Sequence, residues 1–395
     1  MSGDKYASRG VSADKSEVHE AIKNLDKGIF PYAFCKILPD VFAGDPEYCS
    51  IMHADTAGTK TSLAYMYWKE TGDISVWEGI VQDALVMNLD DMACSGCIDN
   101  IIVSSTIGRN KHLVNGEVLK VLIGGAQKFF KKMEGLGVNI ISAGGETADV
   151  GDIVRTADIG FTAFGRLKRS EVIDTKIKKG DYIVGLASYG QATYETEYNS
   201  GMGSNGLTSA RHDVFAKIYR DKYPESFDPN TDDAFVYSGS RMLTDMIEID
   251  GKPIPLGKLV LSPTRTFLPV LKKVIDQFRS QIHGIIHNTG GAHTKVTKYL
   301  SQPLTIIKDN LLPVPPLFKI IKEESGSTYE EMYKVFNMGT RLEIYTHNIE
   351  VANEIIAISR SFNIEAAIIG RVEDGTSDKS VVRLKNEEGG EIVIS

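Results

Sequence analysis

The chain has 395 residues, 42% hydrophobic and 24% charged, with a formal net charge of −8; these are the proportions of a soluble globular protein long enough for two domains. No stretch approaches the ~20 apolar residues of a membrane helix. The polar N-terminus "MSGDKYASRGVSADKSE" lacks a secretory apolar run, so a cytoplasmic location is expected. Cations lie scattered among acids instead of forming a stripe, which argues against nucleic-acid binding.

Periodicity predicts a strand over 49–54, a helix over 75–94, a strand over 101–107, a helix over 115–135, and strands over 138–142 and 156–165. After the connector "KIKKGDYIVGLAS" a second series begins. It has helices near 204–222 and at 266–279, strands in "IHGIIH" and "PLTIIK", helices at 314–324 and 328–336, a strand at 341–346, a helix at 348–361 and a strand at 364–371. The expected fold class is mixed α/β in two domains. The expected boundaries are an N-terminal arm over 1–30, one domain over 31–168 and a second over 169–395. The polar, poorly periodic stretch 222–258 reads as a surface insertion.

Several motifs carry chemistry. "HADTAGTKTS" (53–62) follows a strand, carries Asp55, turns at Gly58 and presents Thr59 and Lys60. An acid, a glycine turn, a lysine and hydroxyls are the ingredients for holding a polyphosphate and its Mg²⁺. On the helix over 75–94, Asp83, Asp90 and Asp91 share a face at i, i+7 and i+8, as a solvated acidic end or a cation site. In "NIISAGGETADVGD" (139–152) a strand ends in Gly144 and Gly145 before Glu146, as if a ligand approached the backbone there. Asp55, Asp91 and Glu146 fall near element ends, and their convergence would need a cation. "GMGSNGLTSAR" (201–211) offers Ser204 and Asn205 either as helix caps or as part of an anion site, with Arg211 two turns along. "HNTGGAH" (287–293) ends a strand at His287, a satisfied polar residue or a proton-transfer group, and "SPTRTF" places Thr264 and Arg265 at a helix start.

Four cysteines occur, two of them in "CSGC" (Cys94 and Cys97). With no second CxxC, and with the pair at a helix C-terminal end, they read as small buried residues and not as a zinc or redox site.

The blocks "DTAGTK", "GGETAD", "SNG…AR", "PTR", "H-x-TGG" and "MYKVFNMG" stand in the order and approximate spacing of one family. The chain resembles the AIR synthetases (phosphoribosylformylglycinamidine cyclo-ligases) of purine biosynthesis, from "YASRGV" near Tyr6 to about Gly375. The resemblance implies two α/β domains, with N-terminal domains pairing across a homodimer into a β-barrel that binds ATP and Mg²⁺. It implies the reaction too: ATP phosphorylates the formyl amide oxygen of formylglycinamidine ribonucleotide, a phosphoribosyl amidine. The amidine nitrogen then closes the ring, and aminoimidazole ribonucleotide, ADP and phosphate leave.

Carried onto this sequence, Asp55, Asp91 and Glu146 would hold the metal. Gly58, Thr59, Lys60, Gly144, Gly145 and Thr147 would join them around ATP. Ser204, Asn205, Gly206, Arg211, Thr264 and Arg265 would meet the substrate, and His287, Thr289 and Lys60 would serve the chemistry. The family pattern is broken at Thr56-Ala57, Asp149, Gly203 (a histidine in the family), Ala292, Thr340 and Arg341. These departures fall more on the substrate side and point to a divergent branch or a changed substrate. The alternatives are another ATP-using member of the superfamily, a small-molecule kinase or synthetase, or a non-catalytic nucleotide-binding paralogue; the last is disfavoured by the intact acidic trio.

Overall fold

Hydrophobic residues two apart along several segments of the first half form a sheet, and the long apolar run between them forms the helix that covers it. The computed structural model describes residues 9–10, 16–375 and 378–394. Its first half comprises α1 (Ser16–Ile22), β1 (Ile37–Pro39), β2 (Tyr48–Thr56), α2 (Lys60–Thr71), α3 (Val76–Cys94), β3 (Ile101–Arg109), α4 (Gly116–Glu134), β4 (Ile140–Asp149) and β5 (Ala157–Lys168). The strands form one sheet in the order β1-β2-β5-β3-β4, antiparallel except for the β3–β4 pair. Helix α3 packs on β2 and β5 and against α4. It is buried on almost every side.

The second half continues through β6 (Tyr182–Ala187), the ribbon of β7 (Tyr189–Gly190) and β8 (Asn199–Ser200), α5 (Leu207–Val214) and α6 (Ile218–Lys222). A second ribbon, β9 (Met246–Ile249) with β10 (Lys252–Pro255), precedes α7 (Leu256–Val260), α8 (Leu268–Phe278), β11 (Gly284–His287) and β12 (Leu304–Lys308). The chain then runs through α9 (Pro316–Ser325), α10 (Tyr329–Val335), β13 (Thr340–Thr346), α11 (Ile349–Ser361), β14 (Ala366–Asp374), β15 (Val381–Lys385) and β16 (Glu391–Ile394). The main sheet has the order β11-β13-β6-β14-β12-β15-β16, and α11 packs on β6 and β14. Helix α3 also touches β11 and α8, so it stands in the seam between the two sheets. The class is mixed α/β, as expected.

Four sequence expectations change. Helix α2 was not foreseen, because its Leu63, Ala64, Tyr65, Met66 and Tyr67 are all buried, and burial on all sides leaves no amphipathic stripe to read. The helix expected near 204–222 is broken into α5 and α6. Strand β4 does not end at 142 but runs through the glycines to Asp149. Finally, 222–258 lies largely at the surface but is anchored: Tyr223, Val236, Tyr237, Leu243 and Leu256 are buried, single anchors spaced too irregularly to show a period. Of the N-terminal "YASRGV" block, Tyr6, Ala7, Ser8 and Val11 lie outside the described residues. Arg9 is buried and ion-paired with Asp213 of α5 at 2.7 Å. Among the described residues no helix is long and apolar enough to cross a membrane.

Candidate active site in the seam

The acidic face of α3 is neither solvated nor open to a free cation. Asp83 is fully buried and takes Lys60 Nζ at 2.9 Å, the Thr264 N–H at 2.7 Å and the Thr264 hydroxyl at 2.6 Å. Asp90 accepts from the Thr266 hydroxyl and the Phe267 N–H, both at 2.7 Å. Burial pushes the Asp90 carboxyl up to about 7 in spite of those two donors. The "SPTRTF" segment therefore docks on α3 through carboxylates that satisfy the free backbone donors of a helix start.

Lys60 shares in this docking. Its ammonium also donates to the Ser262 carbonyl at 2.5 Å and has no exposed surface, so it is not placed to meet a phosphate or to act in catalysis. Thr264 is likewise spent on Asp83. Arg265 is saturated, bonding both oxygens of Glu195 (3.0 and 2.6 Å) and the carbonyls of Ala187, Tyr189 and Gly190. Arg211 donates to the Ser226 carbonyl (2.8 Å) and the Tyr237 hydroxyl (2.6 Å), pinning the 222–258 segment. The structure thus turns three expected substrate contacts, Thr264, Arg265 and Arg211, into internal ties. Sequence shows a cation beside a turn, but not the buried carbonyls waiting for it.

Asp91, the next residue along α3, is different. Its carboxylate meets His287 Nδ1 at 2.7 Å and lies 3.7 Å from His53 Nε2. Burial would raise its pKa, but Lys295, His287 and His53 outweigh burial and hold it below the usual range. On the far side of the imidazole, Arg341 Nε donates to His287 Nε2 at 3.1 Å. An Nε2 that accepts leaves the proton on Nδ1, which donates to Asp91. Burial holds His287 neutral, pushed down to about 4. Both ring nitrogens are occupied, so His287 joins Asp91 to Arg341 and does not present a free base. Thr289 is buried beside it and accepts from Lys295 Nζ; that ammonium also lies 4.6 Å from the centre of the Phe34 ring.

Two loops close over this line. Gly203 lies with φ of +67°, and a β-carbon there would overlap the Arg341 guanidinium. Next to it, Ser204 Oγ and Asn205 Oδ1 are buried and have no hydrogen-bond partner among the described residues. Neither residue caps α5: the N-cap is Gly206, in the left-handed region. A β-carbon on Gly206 would strike Phe336, so packing demands that glycine. Asn337 ties the loops together, donating to the Gly201 carbonyl at 2.9 Å while its own carbonyl receives His293 Nε2 at 2.8 Å. Beneath them Glu343 accepts from Lys308 (2.6 Å), Asn288 (2.7 Å) and Tyr345 (2.6 Å), and this buried network fixes the "HNTGGAH" loop.

The first-half loop is more open. Gly58 and Thr59 are exposed, and the Thr59 hydroxyl lies 2.7 Å from that of Thr208 at the start of α5. Glu146 and Thr147 are exposed on β4. The double glycine has an internal cause. Register shifts between Val103 and Ser105, opposite Ser142 and Gly145, so β4 carries a bulge with Gly144 at φ +84°. A β-carbon on Gly145 would strike Ser105. Glu146 pairs with Thr106, Thr106 with Gly160 and Gly160 with Thr56, so Glu146 shares a face with Thr56 and not with Asp55. Asp55 and Glu146 point to opposite faces, roughly 14 Å apart across three strand spacings.

The expected metal trio therefore does not converge within one copy. Among the described residues no group of three His, Cys, Asp or Glu side chains is placed to hold a metal ion. All four cysteines are free and buried, and burial pushes the Cys97 thiol up to about 12, as inert residues require. A cavity of about 460 Å³ opens elsewhere, between α3, α4 and the 191–199 loop, and holds none of the expected site residues. What sequence reading missed is His53, Lys295 and the role of Arg341. The one available signal was His53 two residues before Asp55, on the same strand face.

Residues 37–167 match the family model "AIR synthase related protein, N-terminal domain". The phosphoribosylformylglycinamidine cyclo-ligase of Methanocaldococcus jannaschii is 30% identical over 335 residues, 83% of this chain and 79% of that protein. The enzyme of the same name from Thermococcus kodakarensis is 27% identical over 383 residues, 93% and 95% of the two chains. Among solved structures, one titled a HypE–HypF complex superposes with a TM-score of 0.56 at 14% identity, covering 96% of this chain and 99% of that one; this likeness concerns the fold alone. Likeness of that extent to a cyclo-ligase, with the match to the family model over residues 37–167, places the chain in the AIR synthase related family.

Proposed function

We propose that the chain is an ATP-dependent cyclo-ligase that converts formylglycinamidine ribonucleotide to aminoimidazole ribonucleotide in purine biosynthesis, working in the cytoplasm. One observation carries the reading: the 30% identity to the M. jannaschii cyclo-ligase extends over 83% of this chain and 79% of that protein. In the overall reaction the γ-phosphoryl of ATP goes to the formyl amide oxygen, the amidine nitrogen closes the ring, and phosphate departs with ADP. The chain's own part is positioning and charge. The buried seam excludes water, which strengthens every charged contact. Asp91, His287 and Arg341 present a fixed cation to the substrate loop, and Ser204 and Asn205 offer unspent polar atoms. Ring closure needs little beyond an activated oxygen and a nitrogen held near its carbon.

Among the described residues of one copy no three His, Cys, Asp or Glu side chains are placed to hold Mg²⁺. A second copy supplies a reason for Glu146's direction. On the open face of the first sheet, Met52, Phe164, Ile102 and Ile141 lie in one row across four strands. Met52, Ile102 and Ile141 are 60%, 41% and 53% exposed, and among the described residues β4 is an edge strand. Two such faces meeting in a homodimer would bury the row and bring Glu146 of one copy towards the phosphate loop of the other, giving an ATP site shared between copies. Residues 31–168 would then be the nucleotide and dimer domain, and 169–395 the substrate domain.

The test is to incubate the purified protein with Mg²⁺ and ATP, with and without formylglycinamidine ribonucleotide. ADP and aminoimidazole ribonucleotide in equal amounts, formed only with both substrates, are the expected result. ADP release that ignores the amidine, or no turnover at all, moves the chain to a relative with another substrate or to a non-catalytic role.

A further inference from the structure

Arg341 stands where the family pattern has small residues, and its surroundings are unusual for a buried cation. The side chain is 1% exposed, and among the described residues no carboxylate lies within ion-pair distance of it. Its one hydrogen bond runs from Nε to His287, and its two terminal nitrogens donate to nothing described. The carboxylates that act on it through space, Asp83, Asp90 and Asp91, are already engaged by Lys60, by the Thr266 and Phe267 donors and by His287. A guanidinium out of water whose one partner is a neutral imidazole is costly, and its planar fork matches two oxygens of a phosphate.

The guanidinium packs against the Gly203 loop. Gly203 is the residue whose β-carbon would occupy the same space as the two terminal nitrogens, so the absence of a side chain at 203 and the guanidinium at 341 are two sides of one fit. Ser204 Oγ and Asn205 Oδ1, the next polar atoms along the loop, are buried and unpartnered among the described residues. An amide side chain can present either its oxygen or its nitrogen, and a serine hydroxyl can donate. We propose that Arg341 is the anion anchor of this site. Its terminal nitrogens bind a phosphate group seated on the Gly203–Asn205 loop, and His287 and Asp91 act behind it as positioning residues. The inference deepens the cyclo-ligase reading and rests on it for the identity of the phosphate carrier, either the ribose phosphate of the amidine substrate or the phosphoryl group in transfer.

The experiment measures binding of inorganic phosphate and of ribose 5-phosphate by calorimetry to the full chain and to Arg341→Gln, followed by steady-state kinetics. Arg341→Gln is expected to weaken phosphate binding roughly tenfold to a hundredfold, as loss of a charge-assisted fork does, with Arg341→Lys intermediate. A raised KM for the amidine at constant KM for ATP assigns the anchor to the ribose phosphate. A fall in kcat with both KM values unchanged assigns it to the transferred group. Wild-type phosphate affinity in a folded Arg341→Gln protein overturns the proposal, as does a wild type that binds neither phosphate. If the glutamine variant does not fold, Arg341→Lys keeps the buried charge and gives the same readout. Phosphate binding requires no ring closure, so a protein that loses phosphate with Arg341 but makes no aminoimidazole product would sink the cyclo-ligase reading alone.

Discussion

The two faces of the first sheet are treated in opposite ways. The face under α3 looks into the seam, where nearly every charged group has an internal partner: Lys60 with Asp83, Asp90 with the Phe267 N–H, Asp91 with His287. The other face carries an exposed apolar row, covered among the described residues at Phe164 by Phe42, and an exposed Glu146. A polar group in the seam is therefore evidence of assembly between the two halves first, and of chemistry only where its partners run out, as they do at Arg341, Ser204 and Asn205. A group on the open face can act only with something that arrives from outside.

Breaking the seam should have the largest effect. Asp83→Ala leaves the Lys60 ammonium buried without its counter-charge, which should cost about 3–5 kcal/mol in urea unfolding. Replacing the pair together, Lys60→Met with Asp83→Leu, should recover most of that. If the double variant also keeps its turnover, Lys60 is an internal tie and not a phosphate contact; a double variant that is stable but has lost ATP turnover would restore Lys60 to the active site.

On the open face, Ile102→Lys places a charge in the middle of the apolar row. A symmetric dimer carries the change twice, and its dissociation constant should rise by about a hundredfold or more, read by sedimentation at micromolar protein, with the melting temperature of the monomer little changed. Turnover should fall with dimer content, because the acid on β4 would lose its neighbour. A variant that sediments as the wild type does would remove this face from the assembly.

How much of this was legible beforehand depends on which kind of signal each feature carries. The strands and amphipathic helices were readable because one face is buried and the other wet: α4 and α11 fall within a residue or so of their expected ends. Helix α2 was not, since burial on all sides erases the period. The motif blocks were visible as sequence, but a motif names residue types and not their directions. Arg265 and Arg211 look like substrate cations until the carbonyls of Ala187, Tyr189, Gly190 and Ser226 are found around them. Those acceptors lie 15 to 78 residues away in sequence, beyond any local pattern. The glycines before Glu146 were read as room for a ligand, whereas a bulge against Ser105 already explains them.

That bulge gives a smaller and sharper test. Gly144 has open space where a β-carbon would go but a backbone that L-residues disfavour, so Gly144→Ala should cost about 1–2 kcal/mol of stability. If backbone geometry is its whole role, the KM for ATP should hold steady once the protein is folded. A rise in that KM beyond tenfold in a folded variant would show that a nucleotide comes close to this backbone after all.

The smallest effect returns to the seam side, through its buried histidines. Burial holds His287 and His293 neutral, each pushed down to about 4 from an ordinary 6.5. Between those values the unfolded chain takes up protons that the native one refuses, so stability falls as pH drops below about 6.5, and the loss stops near pH 4. From pH 7 to pH 6 each histidine should contribute a loss of about 0.5–1 kcal/mol. Asp90 works the other way. Its carboxyl, raised to about 7 from 3.8, binds a proton in the native state first, and so it adds stability as the solution is acidified through that range. The whole-protein curve is thus a sum of opposed terms, and a difference is needed to isolate one. His293→Gln keeps a donor for the Asn337 carbonyl but cannot titrate, so its urea midpoint should fall less steeply than the wild type's between pH 7 and pH 5. Parallel slopes would mean that His293 takes its proton in the folded protein, and that the Lys308 ammonium 3.4 Å from its Nδ1 does not keep that nitrogen bare.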